Sequence, residues 1–326
     1  MCTSKDVAKL AGVSAATVSR VFRGEKVVTE ETRNRVLEAA RQLNYTPSVA
    51  ASMLKKQNNH TVAFLDPDPR NSFYIRMISK ISDVLRNRYD YSAIMTPDTK
   101  YDQELLDSVL LFLSYRVECI VFSPIHSVFD PNLAKLFCPD SPTKFLQLHS
   151  HVYDEISSIS YPDVTGMETG VTHLLQQGHR RILFASDDAV RMRGCQLAYE
   201  KAGISQPEIP INLFHGQVEL EGLIQSIQKY RPTAIMAVAE MSGLKAYTAI
   251  TRLGLRVSED ISFLVYDDSS WAQALGISVI AHPMEEIVET AADLISGMNT
   301  GLYPQPQHRK ICPCLLLRDS IRPLVP

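Results

Sequence analysis

The chain of 326 residues is long enough for two or three domains with hydrophobic cores. Its apolar share of 45% and formal net charge of −3 exclude a disordered or strongly polyelectrolyte chain, and no apolar run approaches the length of a membrane span. Because the N-terminus also lacks the apolar core of a signal peptide, we expect a cytoplasmic protein.

The small net charge conceals an uneven distribution. Residues 1–59 hold ten Lys and Arg against five Asp and Glu, a balance of +5. The remainder of the chain therefore carries −8, since the total is −3. A basic N-terminal segment on an acidic body is typical of a nucleic-acid-binding module, whose affinity depends on neutralising phosphates. A chance local excess of five charges is the alternative.

Two short helices are predicted at the N-terminus. The first runs roughly from Ser4 to Ala11, with Val7, Leu10 and Ala11 on one face, and Thr3 followed by Asp6 is a plausible capping box. The second begins at the polar cap Ser14, and its residues Val18 and Val21 form a buried edge. The joint Gly12-Val13-Ser14 is the short turn of a helix-turn-helix, a unit that places its second helix in the DNA major groove.

A third helix and a short polar segment follow. Thr29 caps the third helix, Glu30 and Glu31 lie in its first turn where the helix dipole favours acids, and its inner stripe is Val36, Ala40 and Leu43. The segment after Pro47, Ser48–Leu54, has a helical composition but is shorter than the roughly 12–15 residues that an isolated helix needs. We expect it to be helical only when a partner holds it.

From Thr61 onward, short apolar runs alternate with stretches of helical periodicity, such as Phe73–Arg88, Met167–Gln177 and Leu244–Gly254. This alternation predicts parallel sheets in doubly wound layers, in two similar sets. The predicted strands are Val62–Leu65, Ser92–Met95, Cys119–Phe122, Phe145–Leu148, Ile156–Ser160, Ile182–Ala185, Ile211–Phe214, Ala234–Val238, Ile261–Val265 and Ser278–Ala281.

The six cysteines have no paired spacing that would indicate a zinc site. Cys312 and Cys314 suggest half of such a site, but no second Cys or His pair stands at a suitable distance. We interpret them as packed side chains in a reducing compartment and expect neither a metal nor a cofactor.

Several motifs resemble the signature of the lactose-repressor (LacI/GalR) family of bacterial transcription regulators. They are Lys5-Asp6-Val7-Ala8-Lys9-Leu10-Ala11-Gly12-Val13-Ser14, Thr17-Val18-Ser19-Arg20, Tyr45-Thr46-Pro47-Ser48 with Leu54, Gly178-His179-Arg180-Arg181-Ile182 and Tyr266-Asp267-Asp268. The resemblance implies an all-α helix-turn-helix headpiece at 1–46, a hinge helix and linker at 47–60, and an α/β core at 61–326 with the two lobes of type I periplasmic binding proteins. The lobes are expected at 61–160 with 291–318, and at 161–290.

The resemblance places DNA contacts on the second helix and the hinge. Ala15 and Ala16 would face base edges and Arg20 would reach a guanine, for which a guanidinium offers a bidentate fork. The short donors Thr3, Ser14, Thr17 and Ser19 suit phosphates, although capping and solvent exposure would explain them equally well. In the hinge, the resemblance adds Ser48, Ala51 and Leu54, with Leu54 as the wedge in the minor groove.

The resemblance also predicts an effector site at the carboxyl ends of the core strands. Asp267 and Arg191 match the family's effector-contacting acid and base, and Phe73 with Tyr74 match an aromatic pair beside the ligand. Gln147, Tyr161 and His282 occupy three further pocket positions. Each has a simpler alternative, since Asp267 could cap a loop, Arg191 could pair with Asp187 or Asp188, and an aromatic or amide at a strand end often supports the core.

Two departures from the family pattern weaken any transfer of a particular sugar. Ala239-Glu240 stands where many members have Asn-Asp, and Pro162-Asp163 replaces a frequent Asp-Asn. Arg23 replaces a common asparagine, so no role is assigned to it.

The function expected is therefore a repressor that binds a pseudo-palindromic operator as a homodimer and responds to a sugar-like effector. No leucine heptad follows Arg318, so a dimer rather than a tetramer is expected. A regulator controlled by a docked phosphocarrier protein, and a ligand-binding protein of the transport type, are the alternatives. An enzyme is disfavoured, since the chain has no Gly-rich phosphate loop, no Gly-x-Ser-x-Gly elbow and no His-Glu-x-x-His motif.

Overall fold

The structure is a computed structural model that divides the chain into two compact units, Met1–Asn59 and His60–Pro326. The residues that it describes are 3–22, 27–45, 60–66, 71–97, 102–124, 129–138, 141–186, 188–205, 207–211, 214 and 218–324. None of the described helices is long and apolar enough to cross a membrane.

The first unit contains three helices, α1 (Ser4–Ala11), α2 (Ala15–Phe22) and α3 (Glu30–Gln42). Gly12 ends α1 at a φ of 65°, a left-handed conformation that glycine adopts without the steric cost of a side chain. The helices bury Val7, Ala8, Ala11, Val18, Val21, Val36, Ala39 and Ala40. Leu10, predicted on the inner face, is instead 50% exposed because the buried stripe of α1 is centred on Val7, Ala8 and Ala11.

The described part of the second unit forms two lobes. In the first lobe the strands are β1 (Thr61–Asp66), β2 (Ser92–Pro97), β3 (Cys119–Phe122), β4 (Lys144–His149), β5 (Ser157–Ser160) and β10 (His308–Lys310). Their order is β10-β5-β4-β3-β1-β2, and neighbouring strands are parallel. The helices are α4 (Ser72–Tyr89), α5 (Asp102–Ser114), α6 (Pro131–Ala134) and α12 (Met284–Thr300).

In the second lobe the strands are β6 (Ile182–Ala185), β7 (Ala234–Ala237), β8 (Ser262–Tyr266), β9 (Ser278–Ala281) and β11 (Cys314–Leu316), in the order β11-β9-β8-β7-β6. All described neighbours are parallel except β11, which runs antiparallel to β9. The helices are α7 (Asp163–Gln176), α8 (Ala189–Lys201), α9 (Leu220–Tyr230), α10 (Glu240–Arg252) and α11 (Ser270–Ala274).

Apolar clusters cover both faces of each sheet, as expected for doubly wound parallel layers. Nine of the ten predicted strands are present within one or two residues. The exception is Ile211–Phe214, of which Ile211 and Phe214 lie outside any strand and the two residues between them lie outside the described residues.

The returning C-terminal segment divides between the lobes in a way that the sequence did not predict. Helix α12 packs on the core of the first lobe from its first residue, Met284, onward, so the lobe boundary lies before the expected residue 291. Strand β11 joins the second lobe, and Ser320 fixes the segment there by donating from Oγ to the carbonyl of Phe263 at 2.6 Å. A three-residue strand has too little periodicity to reveal its sheet.

The chain crosses between the lobes three times in the described residues. The crossings lie between β5 and α7, between β9 and α12, and between β10 and β11. They contain Pro162, Pro283 and Pro313 respectively, and Tyr161 and His282 stand directly before the first two prolines.

Candidate functional site

Helix α2 presents a small, polar face to solvent. Val18 and Val21 are buried, so the opposite face, with Ala15, Ala16, Ser19 and Arg20, is exposed. The main-chain N–H of Thr17 donates to Ser14 Oγ at 3.1 Å, which confirms Ser14 as the cap. A helix with alanines at its start and an arginine one turn later can approach a base edge closely.

The other hydroxyls predicted for this unit have local partners. The Asp6 carboxylate accepts from the main-chain N–H of Thr3 at 2.8 Å and from its hydroxyl at 2.7 Å. These hydrogen bonds from Thr3 lower the pKa of Asp6. The Ser14 and Thr17 hydroxyls lie 2.9 Å apart. The hinge residues Ser48, Ala51 and Leu54 lie outside the described residues.

In the second unit, polar side chains meet between the lobes at the carboxyl ends of the strands, where a doubly wound fold places its ligand site. His149 ends β4, and Asp267 and His282 directly follow β8 and β9. Asp163 begins α7. Arg191 lies in the first turn of α8, which Asp188 caps by accepting from the N–H groups of Val190 and Arg191.

Arg191 and Asp163 form the buried ion pair of this cluster. The Nε and Nη2 atoms of Arg191 each lie 2.9 Å from Oδ2 of Asp163, and Nη1 donates to the carbonyl of Val238. The guanidinium also lies 4.1 Å above the ring of Tyr266. Burial by itself would raise the pKa of Asp163, but Arg191 and the hydrogen bond from His282 outweigh it and hold this pKa far below its usual range.

His282 bridges two carboxylates. Its Nε2 lies 2.9 Å from Oδ1 of Asp163 and its Nδ1 lies 3.0 Å from Oδ1 of Asp267, while only 1% of its side chain is exposed. Burial alone would lower the pKa of His282, but the hydrogen bonds to Asp163 and Asp267 raise it to about 9. The ring is therefore an imidazolium at neutral pH.

His149 is the second imidazole of the cluster, and it is neutral. Burial lowers its pKa, with partial compensation from Asp163. Its Nε2 stands 3.7 Å from Oδ2 of Asp163, and its buried Nδ1 has no hydrogen-bond partner among the described residues. His149 and Asp267 have φ angles of 75° and 73°, which are uncommon for residues other than glycine and tend to occur at functional sites.

Three buried aromatic residues surround the imidazoles. The ring centroids of Phe73 and Tyr161 each lie 5.0 Å from that of His282, and the Tyr74 ring lies 6.4 Å from that of His149. Asn71 caps α4 by accepting from the N–H of Phe73, which fixes the start of the helix that carries the aromatic pair. The site therefore combines an apolar wall from the first lobe with a charged wall from the second.

Gln147 does not join this cluster. Its Oε1 accepts from the N–H groups of Val152 and Tyr153 at 2.8 and 3.1 Å, and its Nε2 donates to the carbonyls of Tyr153 and Ile156. Because the amide has its full set of hydrogen bonds inside the loop after β4, its geometry argues against the predicted ligand contact.

Polar contacts also join the lobes beside the cluster. Ser72 Oγ donates to Oε2 of Glu240 at 2.5 Å, and Nη1 of Arg76 donates to the carbonyl of Asp268 at 3.1 Å. The carboxylate of Asp268 is held in turn by Arg318 at 2.8 and 2.9 Å. The two walls of the cleft are thus hydrogen-bonded to each other.

Two family profiles match this chain. Residues 3–48 match "Bacterial regulatory proteins, lacI family", and residues 171–321 match "Periplasmic binding protein-like domain". The ribose operon repressor of Haemophilus influenzae is 26% identical, with 98% of this chain and 99% of that protein aligned. The transcriptional repressor PurR of Aliivibrio salmonicida is 28% identical over 99% of this chain and all of that protein. The chain belongs to the lacI family of bacterial regulatory proteins.

Solved structures show the same fold for this lacI-family chain. The Lac repressor bound to ONPG in the repressed state aligns with a TM-score of 0.76 at 22% identity, covering 98% of this chain and 99% of that one. A LacI family regulator from Enterococcus faecium with bound ribose aligns with a TM-score of 0.67 at 19% identity, covering 81% of this chain and 99% of that one.

Two members of the cluster in this lacI-family protein, Asp163 and His149, were not predicted as site residues. Asp163 was treated only as a departure from a frequent sequence pattern. Both residues lie at or just after the carboxyl end of a strand, so the positional rule that selected Asp267 could also have selected them.

Proposed function

We propose that this lacI-family transcriptional regulator represses genes by binding operator DNA through α2 and that a small molecule bound between its lobes controls this binding. The exposed face of α2, with Ala15, Ala16, Ser19 and Arg20 opposite a buried Val18–Val21 edge, is the observation that carries the DNA-binding role. A repressor must reach its operator DNA, so we expect this protein in the cytoplasm.

The DNA-binding residues have distinct roles in this proposal. Arg20 donates a bidentate fork to a guanine, and the methyl groups of Ala15 and Ala16 suit the C5-methyl of a thymine. Thr3, Ser14, Thr17 and Ser19 bind phosphates and set the register without choosing sequence. Ser48, Ala51 and Leu54 would extend the contact into the minor groove, with Leu54 inserted between base pairs.

We propose that two copies of the chain bind a pseudo-palindromic operator. A solved Lac repressor dimer bound to its operator is one of the structures that share this fold, with a TM-score of 0.74. Two-fold symmetry of the protein calls for two half-sites in the major groove, one or more helical turns apart.

The effector site of the proposal is the cluster between the lobes. Its residues are Phe73, Tyr74, His149, Tyr161, Asp163, Arg191, Asp267 and His282. It is supported by their convergence and by Nδ1 of His149, which has no hydrogen-bond partner in the described part of the chain. A ligand that touches both walls shifts the balance between two lobe orientations if it binds one of them more tightly. Such coupling changes the affinity for DNA by typically about 1–3 kcal/mol.

The experiment has two stages. A thermal-shift screen of sugars, sugar derivatives and nucleosides identifies a compound that stabilises the folded protein. Operator affinity at fixed salt is then measured with and without that compound. A stabilising compound that leaves operator affinity unchanged would refute control through the cleft, and equal affinity for operator and random DNA would refute specific binding by α2.

A further inference from the structure

The positive charges of the cleft are already neutralised by the protein. All three guanidinium nitrogens of Arg191 have acceptors, two on Asp163 and one on the carbonyl of Val238. Both ring nitrogens of His282 face carboxylates, on Asp163 and Asp267. These two cations and two anions sum to zero, and Asp163 already occupies the Nε/Nη2 edge of Arg191, on which a phosphate or carboxylate would bind as a bidentate ligand.

Asp163 is central to this balance because it binds both cations. Its Oδ2 receives two N–H groups of Arg191, and its Oδ1 receives the hydroxyl of Tyr266 at 3.0 Å together with His282. An anionic ligand that binds the Nε/Nη2 edge of Arg191 would have to displace Asp163 and leave a buried carboxylate without its partner. Breaking one side of a buried ion pair is strongly unfavourable.

One buried nitrogen of the cleft, on a neutral side chain, is suited to a neutral ligand group. Nδ1 of His149 is buried without a partner among the described residues, and an imidazole nitrogen of either tautomer can pair with a hydroxyl, which both donates and accepts. The surrounding rings of Phe73, Tyr74 and Tyr161 offer apolar surface. Across the cleft, the carboxylate of Glu240 accepts from Ser72 and adds a further negative charge.

We propose that the cleft selects an uncharged, polyhydroxylated ligand and excludes phosphorylated or carboxylated ones, and that Asp163 is the residue that enforces this selection. The inference rests on the proposed function of the cleft as an effector site. The wild-type cleft should bind the anionic derivative of a neutral ligand roughly 100-fold or more weakly than the ligand itself, because that derivative must break the Arg191–Asp163 pair.

The test compares four forms of the full-length chain. Asp163→Asn keeps the shape of the side chain and an acceptor for Tyr266 and His282, but it removes one negative charge and leaves Arg191 uncompensated. Asp163→Asn combined with Arg191→Gln removes the freed cation again. Asp83→Asn is the matched control, since Asp83 lies on the exposed face of α4, 3.6 Å from Arg86.

Melting temperatures are first measured in chloride and in inorganic phosphate at equal ionic strength. The wild type and Asp83→Asn should respond equally to phosphate. For Asp163→Asn, phosphate should raise the melting temperature by several degrees more than for the wild type, and this increase should saturate with phosphate concentration. The double variant should not show the additional increase. If Asp163→Asn does not fold, Asp267→Asn takes its place, since it also makes the charge of the cleft more positive by one. The phosphate-dependent increase in its melting temperature should be smaller, because Asp163 still pairs with Arg191.

A second set of melts then uses D-ribose and D-glucose beside D-ribose 5-phosphate, D-glucose 6-phosphate and D-glucuronate. Stabilisation of the wild type by an anionic sugar as strong as that by its neutral parent would overturn the charge selection. A failure of the charge-neutralising variants to respond to phosphate would overturn it too. If the phosphate response appears but no neutral compound of a wider screen stabilises the wild type, the charge selection holds and the proposed effector role fails.

Discussion

A Cβ atom on Gly194 would lie 2.3 Å from the main-chain carbonyl oxygen of Val164, a separation that no side chain can adopt. The glycine therefore allows α8 to cross α7 at close range. Arg191 lies one turn before Gly194, and Asp163 directly precedes Val164, so this crossing brings the two charged groups of the cleft together. The carbonyl belongs to the backbone and cannot rotate away as a flexible side chain could.

Gly194→Ala should therefore destabilise the core. We expect the free energy of unfolding to fall by about 1–3 kcal/mol or more, because the new methyl group forces the helices apart. Gly222→Ala is the matched control, since only the ring of Phe214, at 3.7 Å, approaches its added Cβ on α9. It should leave stability unchanged or raise it by about 0.5–1 kcal/mol through helix propensity. Urea denaturation measures the stability of both variants. Equal unfolding midpoints would contradict a close crossing of α7 and α8 at Gly194.

His282→Gln should change the pH dependence of stability. The pKa of His282 is raised to about 9, above its ordinary value of 6.5, by Asp163 and Asp267. The stabilisation of the folded state by protonated His282 is therefore complete below pH 6.5, and it disappears as the pH rises through 9. Over that interval, the difference in unfolding free energy between wild type and variant should shrink by an amount of order 3 kcal/mol.

The titratable groups that face His282 are Asp163, Asp267, His149 and Tyr266, and Arg191 lies behind Asp163 as its ion-pair partner. His173→Gln serves as the control. Burial lowers the pKa of His173, so the stability difference between the wild type and His173→Gln should change with pH only below pH 6.5. A constant difference between wild type and His282→Gln from pH 6.5 to 9 would show that His282 is not held as an imidazolium.

Arg20→Ala should reduce sequence preference. The loss of a bidentate contact with guanine costs about 1–3 kcal/mol per half-site. Arg41→Ala, at the exposed end of α3, removes the same charge from the headpiece and should have a smaller effect that is equal on all sequences. Fluorescence anisotropy at fixed salt, on an operator selected from random duplexes and on an unrelated duplex, separates the two. An equal loss for Arg20→Ala on both duplexes would assign Arg20 to phosphate alone.

Asp267→Asn should abolish the response to the effector while the protein still folds. Asparagine tolerates the positive φ of Asp267 and fills the same space, but it removes the charge that faces His282. If the effector is an inducer, operator affinity without ligand should stay near that of the wild type. If it is a corepressor, the variant should bind operator weakly under all conditions. A wild-type response in both Asp267→Asn and Arg191→Gln would exclude the cleft as the control site.

Local patterns in the sequence were sufficient to predict the helices of the headpiece and most strands of the core, because helix caps and apolar periodicity depend on only a few neighbouring residues. Asp267 and Arg191 followed from their positions at the carboxyl ends of strands. Asp188, named from the sequence as a possible partner of Arg191, does lie 3.7 Å from its Nε. The closer partner Asp163 did not follow, since it lies 28 residues earlier and meets Arg191 only through the crossing of α7 and α8. Gln147 looked equally suitable in sequence, yet the loop after β4 takes up all its hydrogen bonds.

The three proline-containing crossings have a mechanical consequence. Each proline fixes its own φ and restricts the residue before it, so Tyr161, His282 and Cys312 lose torsional freedom at the points where the lobes are joined. Three connections restricted in this way limit the ways in which the lobes can move relative to each other. Because Tyr161 and His282 themselves lie in these connections, a molecule that displaces either side chain acts directly on the segments that join the lobes.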